Sequence, residues 1–210
     1  PADCSCALDV GCGDGMLTRE LRSVSERVVG IDRDPHSIEV ARAQGGEGIE
    51  YVLGDFLERS FEAASFDLVA SVATLHHMDA GAGLSRMAGL VRPGGSLVVV
   101  GLARPRRLGD LAFDIAGAAA TRVYRHILRK HHWEHSAPKV WPPPISYVEL
   151  RRIAARLLPG VEYRRHVLWR YSLVWTRPGA TDCTTPAAQQ QHAADGAARR
   201  GSLRTVGRTR

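Results

Sequence analysis

The sequence predicts an α/β fold: a doubly wound, mostly parallel sheet with a helical cap insertion and an antiparallel strand pair near the C-terminus. Three observations predict it. Short apolar runs alternate with helical patterns through the first hundred residues. The first run passes straight into a glycine turn, "LDVGCGDG", with Gly11, Gly13 and Gly15 at every second position. The acids Asp9, Asp32 and Asp55 stand at or near the ends of three successive runs. Strands that are apolar throughout belong in a parallel sheet covered on both faces. In such sheets ligands bind at the carboxyl ends of the strands.

The elements follow in order. "CALDV" is a short buried strand and "GMLTRELRSVS" a helix, with Met16, Leu17, Leu21 and Val24 as its apolar stripe. "RVVGID" is the second strand. "DPHSIEVARAQ" is the next helix, with Asp34 as its cap and Pro35 at its first position. "IEYVLGD", "SFDLVASV" and "GSLVVVG" are the third to fifth strands. Between the last two, "AGLSRMAGLVRPGG" predicts a helix ending at Pro93. Asp14 is read as a helix-start residue and Asp67, in "FDLV", as a structural support.

After Gly101 the pattern changes. Leu108, Leu111, Ala112, Ile115, Ala119, Val123 and Ile127 fall on one helical face. "HHWEHSAPKVWPPPIS" is a proline-broken loop, and residues 102–145 together are expected to form a cap over an acceptor pocket. "SYVELRRIAARLLPG" is a helix with Ser146 as cap and Glu149 completing a capping box. "VEYRRHVLWRYSLVWTRP" reads as two strands reversing near Arg170. Residues 1–178 are expected to form one domain. Residues 179–210, poor in large apolar side chains, read as a disordered tail.

Composition narrows the function classes. The 210 residues carry a net charge of +6. It is unevenly spread: −7 over residues 1–101, +10 over 102–180 and +3 over 181–210. A basic second half suits an anionic substrate, a membrane face or nucleic acid. No apolar run is long enough to span a bilayer, and no signal-peptide pattern is present. The four cysteines are few and irregularly placed, which argues against a disulfide framework and for a cytoplasmic setting.

A glycine turn after a first parallel strand accommodates two kinds of ligand. A dinucleotide would place its pyrophosphate on the helix N-terminus and calls for G-x-G-x-x-G. Here the spacing is G-x-G-x-G, with Met16 in the place of the third glycine. Asp9 is also an unsuitable neighbour for a pyrophosphate. The other ligand is S-adenosylmethionine, which has no phosphate and carries an ammonium and a sulfonium.

The succession "LDVGCGDG", "VVGIDRD", "YVLGDF", "FDLVASVATLHHM" and "LVRPGGSLVVVG" resembles the class I S-adenosylmethionine-dependent methyltransferases. It is most similar to the small-molecule type that includes the ubiquinone/menaquinone-biosynthesis enzymes. The resemblance covers about residues 5 to 101, and weakly 146 to 177, and implies a Rossmann-like fold. It implies that Asp9 helps hold the methionine ammonium, partly through water, with Gly11 and Gly13 lying against the amino-acid end. Asp32 would take both ribose hydroxyls, a task that suits a carboxylate facing a vicinal diol. Asp55 would accept from the adenine amino group and the Phe56 N–H would meet the ring. Arg33 would cover the adenine. Ser71, with Val72 and Ala73, would turn backbone carbonyls toward the methionine end.

Methyl transfer from a sulfonium is an in-line displacement that demands alignment and exclusion of water. His76, in "TLHHM" after the fourth strand, is the candidate base or acceptor-orienting group. His77 reads as structural. His131, His132 and His135 have no evident fourth ligand, so no metal is expected. Trp133, Trp141 and Tyr147 are candidates to line the acceptor pocket. The expected function is direct methyl transfer to a small-molecule acceptor. The alternatives are an NAD(P)-dependent oxidoreductase, which the glycine spacing opposes, and a silent protein with a methyltransferase-like fold. No "NPPY"-like tetrapeptide follows the fourth strand, where methyltransferases that attack exocyclic base amines resemble one another, so a nucleic-acid substrate is suggested only by the basic half. A basic amphipathic helix would allow contact with a membrane surface.

Overall fold

A computed structural model describes residues 4–105, 122, 142–166 and 170–179. The described elements belong to one compact unit, Pro1–Arg177. The proposed cap falls largely outside the described residues, as do residues 180–210 of the tail, Trp133, Trp141 and the three histidines of "HHWEH".

The first strand, β1 (Cys4–Val10), carries the most buried stretch of the early chain: Ala7, Leu8 and Val10 have no exposed surface. Helix α1 (Met16–Arg22) follows the glycine turn, and Gly15, not Asp14, is its N-cap. Its buried residues are Thr18 and Leu21, while Met16 and Val24 stand in solvent. The predicted apolar stripe is therefore narrower than the sequence suggested, because a seven-residue helix offers the sheet about two turns. Strand β2 (Ser25–Asp32) leads to α2 (Pro35–Gln44), capped as expected by Asp34, whose carboxylate accepts from the Ser37 N–H at 2.9 Å.

Strand β3 (Ile49–Leu53) is followed by β4 (Phe66–Val72), a 3₁₀ turn at Leu75–His77 and α3 (Ala80–Leu90). Helix α3 stops three residues before Pro93, and β5 (Val91–Leu102) begins at once. The register against β4 explains this. Phe66 pairs with Val91, but Leu68 pairs with Ser96, so residues 92–95 form an irregularity in the ladder. Proline lacks the N–H that a regular ladder position needs and is tolerated at such a bulge. Arg92 is fixed there by Asp67 at 3.0 Å, and Asp67 also accepts from the N–H groups of Ser5 and Cys6. Asp67 is thus the structural support expected, tying the start of β1 to the bulge.

Helix α4 (Tyr147–Leu157) is capped by Ser146, whose hydroxyl accepts from the Glu149 N–H at 3.3 Å. Strands β6 (Glu162–His166) and β7 (Arg170–Thr176) form the predicted antiparallel pair. The seven strands lie in the order β3-β2-β1-β4-β5-β7-β6. All pairings from β3 to β5 are parallel, and β7 runs antiparallel to β5. The strand order reverses between β1 and β4, the position at which open α/β sheets bind ligands. The main core joins β1, β2, β4, β5 and β7 with α3 and α4 through Leu8, Val69, Leu84, Met87, Val99, Leu150 and Leu173. A smaller cluster of Ala7, Leu21, Val28 and Ala70 fills the opposite face. Among the described residues no helix is long and apolar enough to cross a membrane.

Candidate active site

The carboxyl ends of β1 to β4 form a rim that hydrogen bonds join end to end. The Gly11 and Cys12 N–H groups both donate to the Ile31 carbonyl, at 2.8 and 3.1 Å. The Gly13 N–H donates to Asp32 Oδ2 at 2.9 Å and the Asp34 N–H to Asp32 Oδ1 at 2.9 Å. The Gly54 N–H donates to the Asp32 carbonyl at 2.9 Å, joining the end of β3 to that of β2. On the other side Ser71 Oγ donates to the Val10 carbonyl at 3.0 Å. Asp9, Gly11, Gly13, Asp32, Asp55 and Ser71 therefore share one edge of the sheet.

Gly11 and Gly13 have φ of 76° and 53°, in the left-handed region that disfavours other residues. The two differ in what surrounds them. A Cβ on Gly11 would lie 2.0 Å from Thr74 Oγ1, whereas one on Gly13 would meet nothing within 4 Å. Gly11 is needed for close packing against Thr74, while Gly13 presents bare backbone to open space.

The acids divide by environment. Asp9 is buried behind the turn with 1% exposure and accepts from Thr18 Oγ1 at 2.7 Å. Burial pushes its pKa up to about 7; the Thr18 bond opposes the shift and the nearby Asp32 charge adds to it. A ligand ammonium would reach it only through an intermediary, but its field acts at the turn. Asp32 is half-buried and oriented at both oxygens by backbone N–H groups, which leaves further lone pairs for a ligand. Asp55 is exposed, with Oδ1 tied to the Leu57 N–H at 2.7 Å. Its neighbour Phe56 turns its ring into the core beneath the Arg86 guanidinium, so any part it plays at the rim falls to its backbone. Arg33 is exposed beside Asp32.

Ser71 is fully buried and spends its hydroxyl on β1, leaving only its backbone for the rim. His76 is 7% exposed, and its Nδ1 has no hydrogen-bond partner. Burial, with help from His77, lowers its pKa to about 4, so the imidazole is neutral at neutral pH. The His77 ring lies 4.1 Å from that of His76. Its pKa is lowered by burial and by Arg33 and raised by Asp32. His77 therefore lies within electrostatic reach of the end of β2. Sequence reasoning missed Thr18 and Thr74. Each acts on a partner set by the fold, Thr18 on Asp9 and Thr74 on Gly11, and only the first pair is close in sequence.

The rim also exposes apolar surface that a folded chain ordinarily hides. Met16, Leu53 and Val72 are 45%, 44% and 38% exposed, at the start of α1 and the ends of β3 and β4. With Asp9, Asp32 and Asp55 along the same edge, the donor set fits a cationic nucleoside and opposes a pyrophosphate.

Comparison with known proteins agrees. Residues 8–99 match the family model described as "Methyltransferase domain". An uncharacterized methyltransferase of Mycobacterium bovis is 38% identical over 183 residues, spanning 85% of this chain and 90% of that protein. A ubiquinone biosynthesis O-methyltransferase of Methylocella silvestris is 42% identical over 115 residues, 53% of this chain and 44% of that one. The crystal structure of an S-adenosylmethionine-dependent methyltransferase from Mesorhizobium loti shares the fold, with a TM-score of 0.58 at 17% identity over 84% of this chain and 93% of that one. The chain belongs to the methyltransferase family, with the fold of the class I S-adenosylmethionine-dependent enzymes.

Proposed function

We propose that this methyltransferase acts on a small-molecule acceptor by direct in-line transfer, with the β1–β4 rim as its cofactor site. The observation that carries the reading is the Asp32 carboxylate, held at the centre of the rim by the Gly13 and Asp34 N–H groups. When bound, S-adenosylmethionine supplies a methyl group on a positively charged sulfur that is already a good leaving group. The chain's own residues bind and align. Asp32 takes the ribose hydroxyls, Asp55 and the Phe56 backbone hold the adenine, and Arg33 covers it. Gly11 and Gly13 receive the amino-acid end, with the Asp9 field behind them and the backbone of Ser71 opposite. Met16, Leu53 and Val72 exclude water.

His76 orients the acceptor. Its neutral imidazole accepts a hydrogen bond readily, but a group with pKa near 4 is a weak base, so positioning rather than full proton removal is the role that fits. The Methylocella relative, named for O-methylation in ubiquinone biosynthesis, supports a small hydroxylated acceptor. The free thiols of Cys4, Cys6 and Cys12 suit the cytoplasm. The exposed row Arg151, Arg152 and Arg156 on α4 supports contact of this basic half with an anionic membrane surface.

The test is transfer of label from radiolabelled S-adenosylmethionine to a panel of small phenols, alcohols and amines, with transfer RNA and casein alongside. Label in a small molecule is expected. Label confined to the RNA or the protein would contradict the reading, and cofactor binding with no transfer to any of them would favour a silent binding protein.

A further inference from the structure

The β1–β4 register runs Ala7↔Leu68, Leu8↔Val69, Asp9↔Ala70 and ends there. At this edge side chains take over from the backbone ladder. Ser71 Oγ donates across to the Val10 carbonyl at 3.0 Å. Three residues on, Thr74 Oγ1 lies 3.1 Å from the Val72 carbonyl and 3.4 Å from the Gly11 carbonyl. Its one proton serves the two acceptors alternately or shared.

Thr74 also occupies the space that Gly11 vacates: a Cβ there would lie 2.0 Å from its Oγ1 and 2.3 Å from its Cγ2. Its backbone faces the other way. The Thr74 carbonyl accepts from the His77 N–H at 2.9 Å and so closes the 3₁₀ turn that carries His76 and His77. The residue before it, Ala73, holds φ at 56°, an uncommon conformation for a side chain with Cβ, and its N–H donates to the Val100 carbonyl at 2.7 Å. Such backbone persists only where surrounding contacts over-determine it. Here the Val100 bond on one side and the Thr74 wedge on the other do so.

We infer that Thr74 is a positioning residue: its hydroxyl and methyl, wedged against Gly11, fix the width of the β1/β4 crevice and set the His76–His77 turn relative to the glycine turn. The inference rests on the rim being the cofactor site. Thr74 acts through the Gly11 backbone and the turn that follows it. The hydroxyl supplies the tie between the two strand ends and the methyl supplies bulk.

The test compares wild type, Thr74→Ser, Thr74→Val and Thr74→Ala by calorimetric titration with S-adenosylhomocysteine, together with melting temperature. Serine keeps the hydroxyl and should bind within about threefold of wild type. Valine keeps the shape without the tie and should bind at least about tenfold more weakly, with a melting temperature within about 2 °C, a loss of affinity that a purely structural role would not produce. Should Thr74→Val not fold, Thr74→Ala, which removes the tie and the bulk together, should also bind at least about tenfold more weakly while Thr74→Ser does not. Hydrogen exchange across residues 72–79, well below every melting temperature, should be faster in the hydroxyl-free variants and unchanged in Thr74→Ser. Hydroxyl-free variants that bind as well as wild type overturn the inference and leave the cofactor site standing. A wild-type protein that binds no S-adenosylhomocysteine overturns the site itself.

Discussion

Thr18 Oγ1 donates a 2.7 Å hydrogen bond to Asp9 Oδ2, and both residues are buried. One turn into α1, this hydroxyl is the named partner of a carboxyl that burial pushes up to a pKa of about 7. The sign of its effect on stability follows. A folded-state pKa raised from about 3.8 means that the native protein retains a proton the unfolded chain has lost. This contribution is present at low pH, is lost progressively as pH rises from about 4 to about 7, and stays lost above that. Asp9→Asn should therefore gain melting temperature relative to wild type as pH rises through that window, with the gap constant above it. Parallel melting profiles would show that Asp9 is ionised throughout. A bound ammonium favours the carboxylate, so S-adenosylhomocysteine binding near pH 7 should release protons, visible as a dependence of binding heat on buffer ionisation enthalpy.

Gly11 and Gly13 make a paired prediction. Alanine at Gly13 meets no neighbour and suffers only left-handed strain, roughly 1–2 kcal/mol. Alanine at Gly11 suffers similar strain and must also displace Thr74. Chemical denaturation should find Gly11→Ala the more destabilised by at least about 1 kcal/mol. Gly13→Ala should lose more cofactor affinity than its stability change accounts for. Equal destabilisation of the two would contradict the packing described.

His76 and His77 act in the opposite direction from Asp9. His76 has a folded-state pKa of about 4 against 6.5 in the unfolded chain, so its contribution is present above pH 6.5 and lost as pH falls toward 4. His76→Gln should therefore gain melting temperature relative to wild type as pH falls over that range, and parallel profiles of the two would show that the His76 pKa is not lowered. Once an acceptor is in hand, His76→Ala should lower turnover more than S-adenosylhomocysteine affinity. The reverse pattern would make His76 a packing residue.

Much of this was legible in the sequence because it is local. Asp34-Pro35 marks a helix start within three residues, and Asp34 caps Ser37 as its chemistry requires. The strand ends that carry Asp9, Asp32 and Asp55 follow from apolar runs meeting turn residues. What stayed hidden depends on distant partners. Pro93 reads as a helix stop, yet α3 has already ended, because Val91 pairs with Phe66 and Arg92 bonds Asp67. The bulge that excuses Pro93 is a property of two strands and leaves no mark in one. Thr74 is an ordinary residue until Gly11, 63 positions away, is folded against it.

On the reading proposed above, the rim grips the nucleoside through Asp32. Calorimetric titration of S-adenosylhomocysteine into wild type and Asp32→Ala tests it most directly. Removal of two charge-assisted hydrogen bonds, each worth about 1.5–3 kcal/mol, should weaken binding at least tenfold in the variant. Affinities that agree within a factor of about two would place the ribose elsewhere and contradict the account.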